Sequence, residues 1–232
     1  DHRLTANQRA FVNLFAQEQT HIDREAIRRA VAQLEYPLYF FDFETIDHAV
    51  PIYKGCKPYQ QVPFQYSCHI LHADGTLTHR EYLHTGIDDP RPALVEALLN
   101  DLGDGGHIIV YFARFEGERL RELATAVPAY EAELLALAER LWDQLNIFKN
   151  HYSDYRFNGS NSLKNVLPVL VPELSYKALD VQNGTQAQVV WEEMVGTRDP
   201  VRQQVLVEQL LAYCHLDTLA MVEIHRVLCR LR

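Results

Sequence analysis

Ile27, Val31 and Leu34 recur at helical spacing behind Asp23, a residue suited to capping a helix start, and Tyr36-Pro37 closes the segment. Residues 5–35 are therefore expected to be helical. The pattern then changes period. Residues 38–43, 64–72 and 78–85 read as three strands. A Pro- and Gly-containing loop (46–61) separates the first two, and a turn with Asp74-Gly75 at its tip joins the second and third. This is an antiparallel meander.

Alternation follows. Asp89-Pro90 marks the start of a helix that runs to about residue 102. "HIIVYF" (107–112) is apolar enough for a central strand. "EGERLRELATAV" and residues 129–140 read as helices, and 141–148 as a short fifth strand. "SLKNVLPVL" is expected as a helix started by Ser160 or Ser162, and 185–195 as another. Asp199-Pro200 repeats the cap-and-proline signal before a last helix to about residue 231. The order predicts an α/β fold with a mixed five-stranded sheet flanked by helices. Residues 1–36 are expected to form a helical linker from a missing upstream region, since the chain begins with Asp1 rather than Met. Residues 37–232 are expected to form the principal domain.

The first strand, "YFFDFET", raises the chemical question. Residues two apart on a strand share a face. Asp42 and Glu44 therefore project together while Phe41 and Phe43 face the other way. Paired carboxylates repel unless a cation lies between them, and an all-oxygen set suits magnesium or manganese. By themselves these acids would equally suit a strand end and a solvated position. Glu116 follows the fourth strand at a strand-to-helix junction, where sites collect in α/β folds. It would also complement a helix dipole in the first turn. Tyr213 and Asp217 are four apart in the last helix and share a face with Leu210 and Cys214. That face reads as buried, so Asp217 needs a partner.

The 232 residues carry 31 acids against 22 Lys and Arg, a formal charge of −9. This argues against a simple basic nucleic-acid binder but not against an enzyme that meets phosphates through bound metals. Cys56, Cys68, Cys214 and Cys229 form no CxxC pair and read as reduced thiols of a cytoplasmic protein. His69 and His72 are three apart with no second pair, so zinc is not expected. No run of 18 apolar residues suggests a membrane span.

Taken together, Asp-x-Glu ending a first strand, an acid after a fourth strand and Tyr-x-x-x-Asp in a late helix resemble the DEDD 3′–5′ exonucleases, tyrosine subclass. The resemblance covers about residues 38–228. More narrowly, "YPLYFFDFET", "PYQQVPFQYSCH", "GSNSLKNVLPVLVPELSY" and "YCHLDT" resemble the bacterial domain of unknown function 2779 family, whose members often carry an upstream nuclease-like region. One departure is that Glu116 stands where the superfamily usually has Asp, with Arg114 near a common Asn. Asp143 is a second candidate, read as structural.

The resemblance implies a ribonuclease H-like fold and a two-metal nuclease acting on single-stranded 3′ ends of DNA or RNA. Asp42, Glu44, Glu116 and Asp217 would hold two Mg2+ or Mn2+ ions, and Tyr213 would orient the attacking water. Arg114, Phe115, Gln65, Ser162 and Lys164 are the expected substrate contacts. The alternatives are an inactive nuclease-like binding module, an endonuclease of the same fold, and a metal-free domain whose acids are merely paired.

Overall fold

The computed structural model describes residues 4–231. In chain order the first elements are α1 (Ala6–Ala16), β1 (Thr20–Ile22), α2 (Arg24–Ala32), β2 (Leu38–Ile46), β3 (Val62–Leu71) and β4 (Leu77–Leu83). Then come α3 (Arg91–Asp101), β5 (Ile108–Val110), α4 (Ala113–Ala126), α5 (Glu131–Glu139) and β6 (Leu141–Asp143). The chain ends with α6 (Leu145–Asn150), β7 (Tyr152–Asp154), α7 (Leu163–Leu170), α8 (Gly184–Gly196) and α9 (Pro200–Arg230). The five-stranded sheet has the order β4-β3-β2-β5-β6. Its first three strands are antiparallel neighbours, and β5 and β6 run parallel to β2.

The sheet's two faces follow from the period of two along β2. Tyr39, Phe41 and Phe43 join Tyr66, Cys68 and Ile70 in a core closed by α3, α4 and α5 through Leu94, Leu98, Leu120 and Leu134. Leu38 and Phe40 face the other way, onto Met221 and Val222 of α9. The same period carries Asp42 and Glu44 beneath α9.

α9 is long and apolar enough by length and composition to cross a bilayer, but half of its most apolar window is buried within this fold. It is the core helix of this face, and polar contacts fasten it to β3. The Gln65 amide donates to the Leu210 carbonyl at 2.9 Å, and the Ser67 and Thr218 hydroxyls meet at 2.8 Å. Asp199 caps the helix by accepting from the Val201 N–H.

Two expectations change. Residues 4–36 are not simply helical, residues 1–3 of that expectation lying outside the described residues: β1 pairs antiparallel with β7, and Ile27 of α2 is fully buried among Val166, Ile224 and Leu228. Short strands far apart in sequence leave no local periodicity, which is why this pairing was illegible. The segment 141–148 is a strand only to Asp143. Asp143 then accepts from the Leu145 N–H and starts α6.

The burial of Ile27 makes α2 part of the main core. Ile27→Ala is expected to lower stability by about 2–5 kcal/mol in urea unfolding, the usual loss for a buried aliphatic truncation. A change within about 0.5 kcal/mol, typical of surface positions, would show that α2 is only an appendage.

Candidate metal centre

Three elements bring four acids together. β2 supplies Asp42 and Glu44, α4 supplies Glu116 from its first turn, and α9 supplies Asp217. Glu44, Glu116 and Asp217 are buried, and Asp42 is partly open. β2 and β5 are parallel, so the acids gather at the carboxyl ends of neighbouring strands. The turn into α4 is strained: Phe112 has φ 101°, a conformation that costs a bulky residue energy. Asp143 offsets part of this by accepting from the Phe112 N–H at 3.0 Å. Asp143, expected from the sequence as a structural residue in or beside the fifth strand, is the last residue of β6.

Asp42, Glu44 and Asp217 open onto a cleft of about 730 Å³, also lined by Phe112, Ser162 and Lys164. Tyr213 lines it too, and the Lys164 ammonium donates to its hydroxyl at 3.1 Å and to the Gln182 carbonyl at 2.6 Å. The Tyr176 hydroxyl donates to Asp217 Oδ1 at 2.5 Å. Glu116 lies behind the cleft and shares a hydrogen bond with Asp42.

Some expected residues are elsewhere. Gln65 is fully buried and spends its amide on Leu210, so it is a fastening for α9 rather than a substrate contact. Phe115 packs against the core of the opposite sheet face, with the Arg119 guanidinium 5.0 Å over its ring. Arg114 is exposed, bonded to Glu118 at 2.8 Å, and does not line the cleft. Their helical phase, one and two residues before Glu116, turns them away from it. Ser162 and Lys164 do line the cleft. Sequence reasoning missed Tyr176, which sits in a short irregular stretch without periodicity, and Phe112, which no helix or strand period singles out. The exposed Phe112 has the Lys149 ammonium 5.4 Å from its ring centre.

Crowding the acids raises their proton affinity. Burial pushes Asp42 well above the ordinary carboxylate range, and Asp217, Glu44 and Glu116 add to it. Glu44 is raised likewise by burial and Asp217, opposed by the Lys164 ammonium. Burial lifts Glu116 to about 8, with Asp143 adding and its hydrogen bonds opposing. Asp217 rises to about 6 through burial, restrained by the Tyr176 hydroxyl. Burial and these acids hold the Tyr213 phenol neutral far above its usual range.

The donor set fits divalent cations. Glu116 Oε2 is buried without a hydrogen-bond partner among the described residues. A carboxylate oxygen from each of Asp42 and Glu44 and the Cys214 sulfur lie within 4.8 Å of one another. Burial holds the Cys214 thiol well above its usual range and therefore protonated, and its sulfur donates to the Asp42 carbonyl at 3.8 Å. The available donors are carboxylate oxygens, a set for hard ions such as Mg2+ or Mn2+.

In the metal-free chain these raised values make stability fall as pH rises. The folded state holds protons that the unfolded chain has released above about pH 4.5, so stability drops towards pH 8, where Glu116 ionises. From pH 6 to pH 8 Glu116 alone accounts for about 2 kcal/mol, or ~4–8 °C in Tm. Asp42→Asn is expected to raise Tm at pH 8 in chelator by removing one of the repelling acids. Scanning calorimetry checks both, and a Tm unchanged between the two pH values contradicts the coupling.

Comparison with known proteins bears on which family holds this cluster. Residues 39–162, just over half of the chain, match the family described as "Domain of unknown function (DUF2779)". The match includes Asp42, Glu44 and Glu116, while Tyr213 and Asp217 lie beyond it. The chain is 29% identical to the "Uncharacterized protein MG366 homolog" of Mycoplasma pneumoniae, over 80% of this chain and 31% of that protein. It is 28% identical to the "Uncharacterized protein UU173" of Ureaplasma parvum, over 94% of this chain and 35% of that protein. The chain thus spans about a third of the length of these relatives. No solved structure matches it. The match across β2 to β6 and on to the start of α7 makes the chain a member of the DUF2779 family.

Proposed function

We propose that this domain is a metal-dependent 3′–5′ exonuclease of the DEDD type, tyrosine subclass, acting on single-stranded nucleic-acid ends. One observation carries the reading: Asp42, Glu44 and Asp217 converge at the floor of one cleft with Glu116 buried behind them against Asp42, where they resist ionisation unless cations join them. The sheet order, with an antiparallel triplet followed by two parallel strands and the acids at their carboxyl ends, supports a ribonuclease H-like assignment. Glu116 stands where that pattern has Asp. Its hydrogen bond with Asp42 supports it as the second-motif acid, the longer side chain reaching in from α4.

Asp42, Glu44, Glu116 and Asp217 would hold two Mg2+ or Mn2+ ions. Such a pair, when bound, activates a water and stabilises the departing 3′ oxygen. The chain's own groups do the positioning. Tyr213 is neutral at working pH and is no general base; Lys164 donates to its oxygen, and its own hydrogen bonds to Asp217, which sets the phenol beside the carboxylate it would help to orient. Tyr176 fixes the Asp217 carboxyl. Lys164 faces the cleft with an ammonium suited to phosphate oxygens, while the Ser162 hydroxyl beside it donates to Asn165 Oδ1 at 2.7 Å. The exposed ring of Phe112, rather than that of Phe115, is placed to stack on a base.

With 5′-labelled single-stranded DNA and RNA, manganese is expected to support a ladder that shortens from the 3′ end. Asp42→Asn and Asp217→Asn should each reduce the rate by more than the roughly 10–100-fold typical of losing an outer partner of a metal site. Manganese binding by the wild-type chain without cleavage would replace this reading with a non-catalytic binding module, and internal cuts would replace it with an endonuclease.

Positioning and binding should separate kinetically. Tyr213→Phe should lower kcat at nearly constant KM. Phe112→Ala should chiefly raise KM, by the equivalent of about 1–3 kcal/mol for a lost stacking platform. Equal effects of both substitutions on kcat alone would remove Phe112 from substrate binding.

A further inference from the structure

A second constellation lies under the same helix, beyond the acids. His69 on β3, His79 on β4 and His215 on α9 converge, with one nitrogen from each ring within 4.8 Å of the others. Their ring centres are 4.4 to 4.6 Å apart. His69 and His79 are directly paired across the strands, and α9 lays His215 over them. No sequence spacing announces the trio, since its members come from three elements. His72, the other histidine considered for zinc, is not one of them.

The hydrogen bonds around the trio engage one nitrogen on each of two rings. The Thr218 hydroxyl lies 3.1 Å from the carbonyl of His215, in the preceding turn, and 2.8 Å from both His69 Nδ1 and the Ser67 hydroxyl. Ser67 lies 2.9 Å from His79 Nε2. With the single Thr218 hydrogen on the His215 carbonyl, His69 Nδ1 and His79 Nε2 are the protonated nitrogens, and His69 Nε2 and His79 Nδ1 are acceptors. A ligating histidine usually gives its other N–H to a neighbour in this way, which fixes tautomer and ring orientation. Glu81, 4.0 Å from His79 Nε2, adds a carboxylate on the same flank.

A purely structural trio would turn ring edges towards apolar atoms or donors. Here three imidazoles crowd one another, and burial together with their neighbours' charge holds His69 at about 3 and His79 at about 4, so both are neutral. Neutral imidazole is the ligating form. Zinc bonds to histidine at ~2.0–2.1 Å place tetrahedral donors roughly 3.4 Å apart, and one nitrogen from each ring lies within 4.8 Å of the others.

We infer that His69, His79 and His215 form a tris-imidazole site for a zinc-class transition metal, separate from the carboxylate centre, that clamps α9 to β3 and β4. Three protein ligands leave a fourth position for water or another small donor. The clamp would hold the helix that carries Tyr213 and Asp217. The inference rests on the residues of this site alone and stands whether or not the acid cluster cleaves nucleic acid.

The test is zinc stoichiometry of the chelator-treated chain after gel filtration, measured in excess magnesium to occupy the carboxylates. One tightly held zinc is expected in the wild type and equally in Asp42→Asn. His79→Gln and His215→Gln should lose it while keeping the wild-type circular dichroism spectrum and manganese binding. Both positions are only partly buried, so the folds should survive. Cobalt in place of zinc should give the visible ligand-field bands of a four-coordinate site in the wild type and not in the histidine variants. A wild type that holds no more zinc than His79→Gln, or zinc lost with Asp42→Asn and kept in the histidine variants, would overturn the inference.

Discussion

The packing of α9 across β2 and β3 is the constraint on which the rest depends. One helix covers the face where Leu38 and Phe40 seal the core, and the same period of two carries Asp42 and Glu44 beneath it. Because α9 also bears Asp217, seating the helix forces acids from two elements together. Folding therefore includes an electrostatic cost that apolar burial and the fastenings at Gln65, Ser67 and Thr218 must outweigh. A protein with no use for the cluster would be more stable with amides there, and the strained turn at Phe112 points the same way.

The surroundings of the acids divide the work. Towards β5 and α4, Glu116 is buried with its Oε2 lacking a hydrogen-bond partner among the described residues. Towards α7, Lys164 and the two tyrosines form a neutral-to-positive wall, with the ammonium 5.0 and 5.2 Å from the rings of Tyr213 and Tyr176. At the start of α8, Gly184 lies against Glu44, so a helix N-terminus faces that carboxylate. The cleft is therefore negative at its floor and positive along one wall, which suits cations below and phosphate beside them.

Much of this was legible in the sequence because it rested on periodicity. The alternation along "YFFDFET" placed Asp42 and Glu44 on one face, and the spacing of Tyr213 and Asp217 placed both on one side of α9. The meander and the alternating second half follow from turn and cap residues such as Asp74-Gly75 and Asp199-Pro200. What escaped depended on long-range pairing or on residues in irregular backbone. β1 and β7 are three-residue strands separated by most of the chain. Tyr176 reaches Asp217 from a single 3-10 turn. Phe115 is an expected substrate contact from the sequence, but adjacent helix positions face different directions, and it is Phe112, before the helix begins, that meets the cleft. The histidine trio escaped for the same reason as β1: its members are adjacent only after the sheet and α9 have assembled.

The central claim is that the four acids form a cation site whose protons give way to metal. It is tested most directly by calorimetric titration of manganese into the metal-free chain at pH 6.5, in buffers of different ionisation enthalpy. The account predicts an apparent binding enthalpy that varies linearly with the buffer's, with a slope reporting protons released per ion, and loss of that slope in Asp217→Asn. Manganese bound with no proton release, or no binding at all, would contradict it.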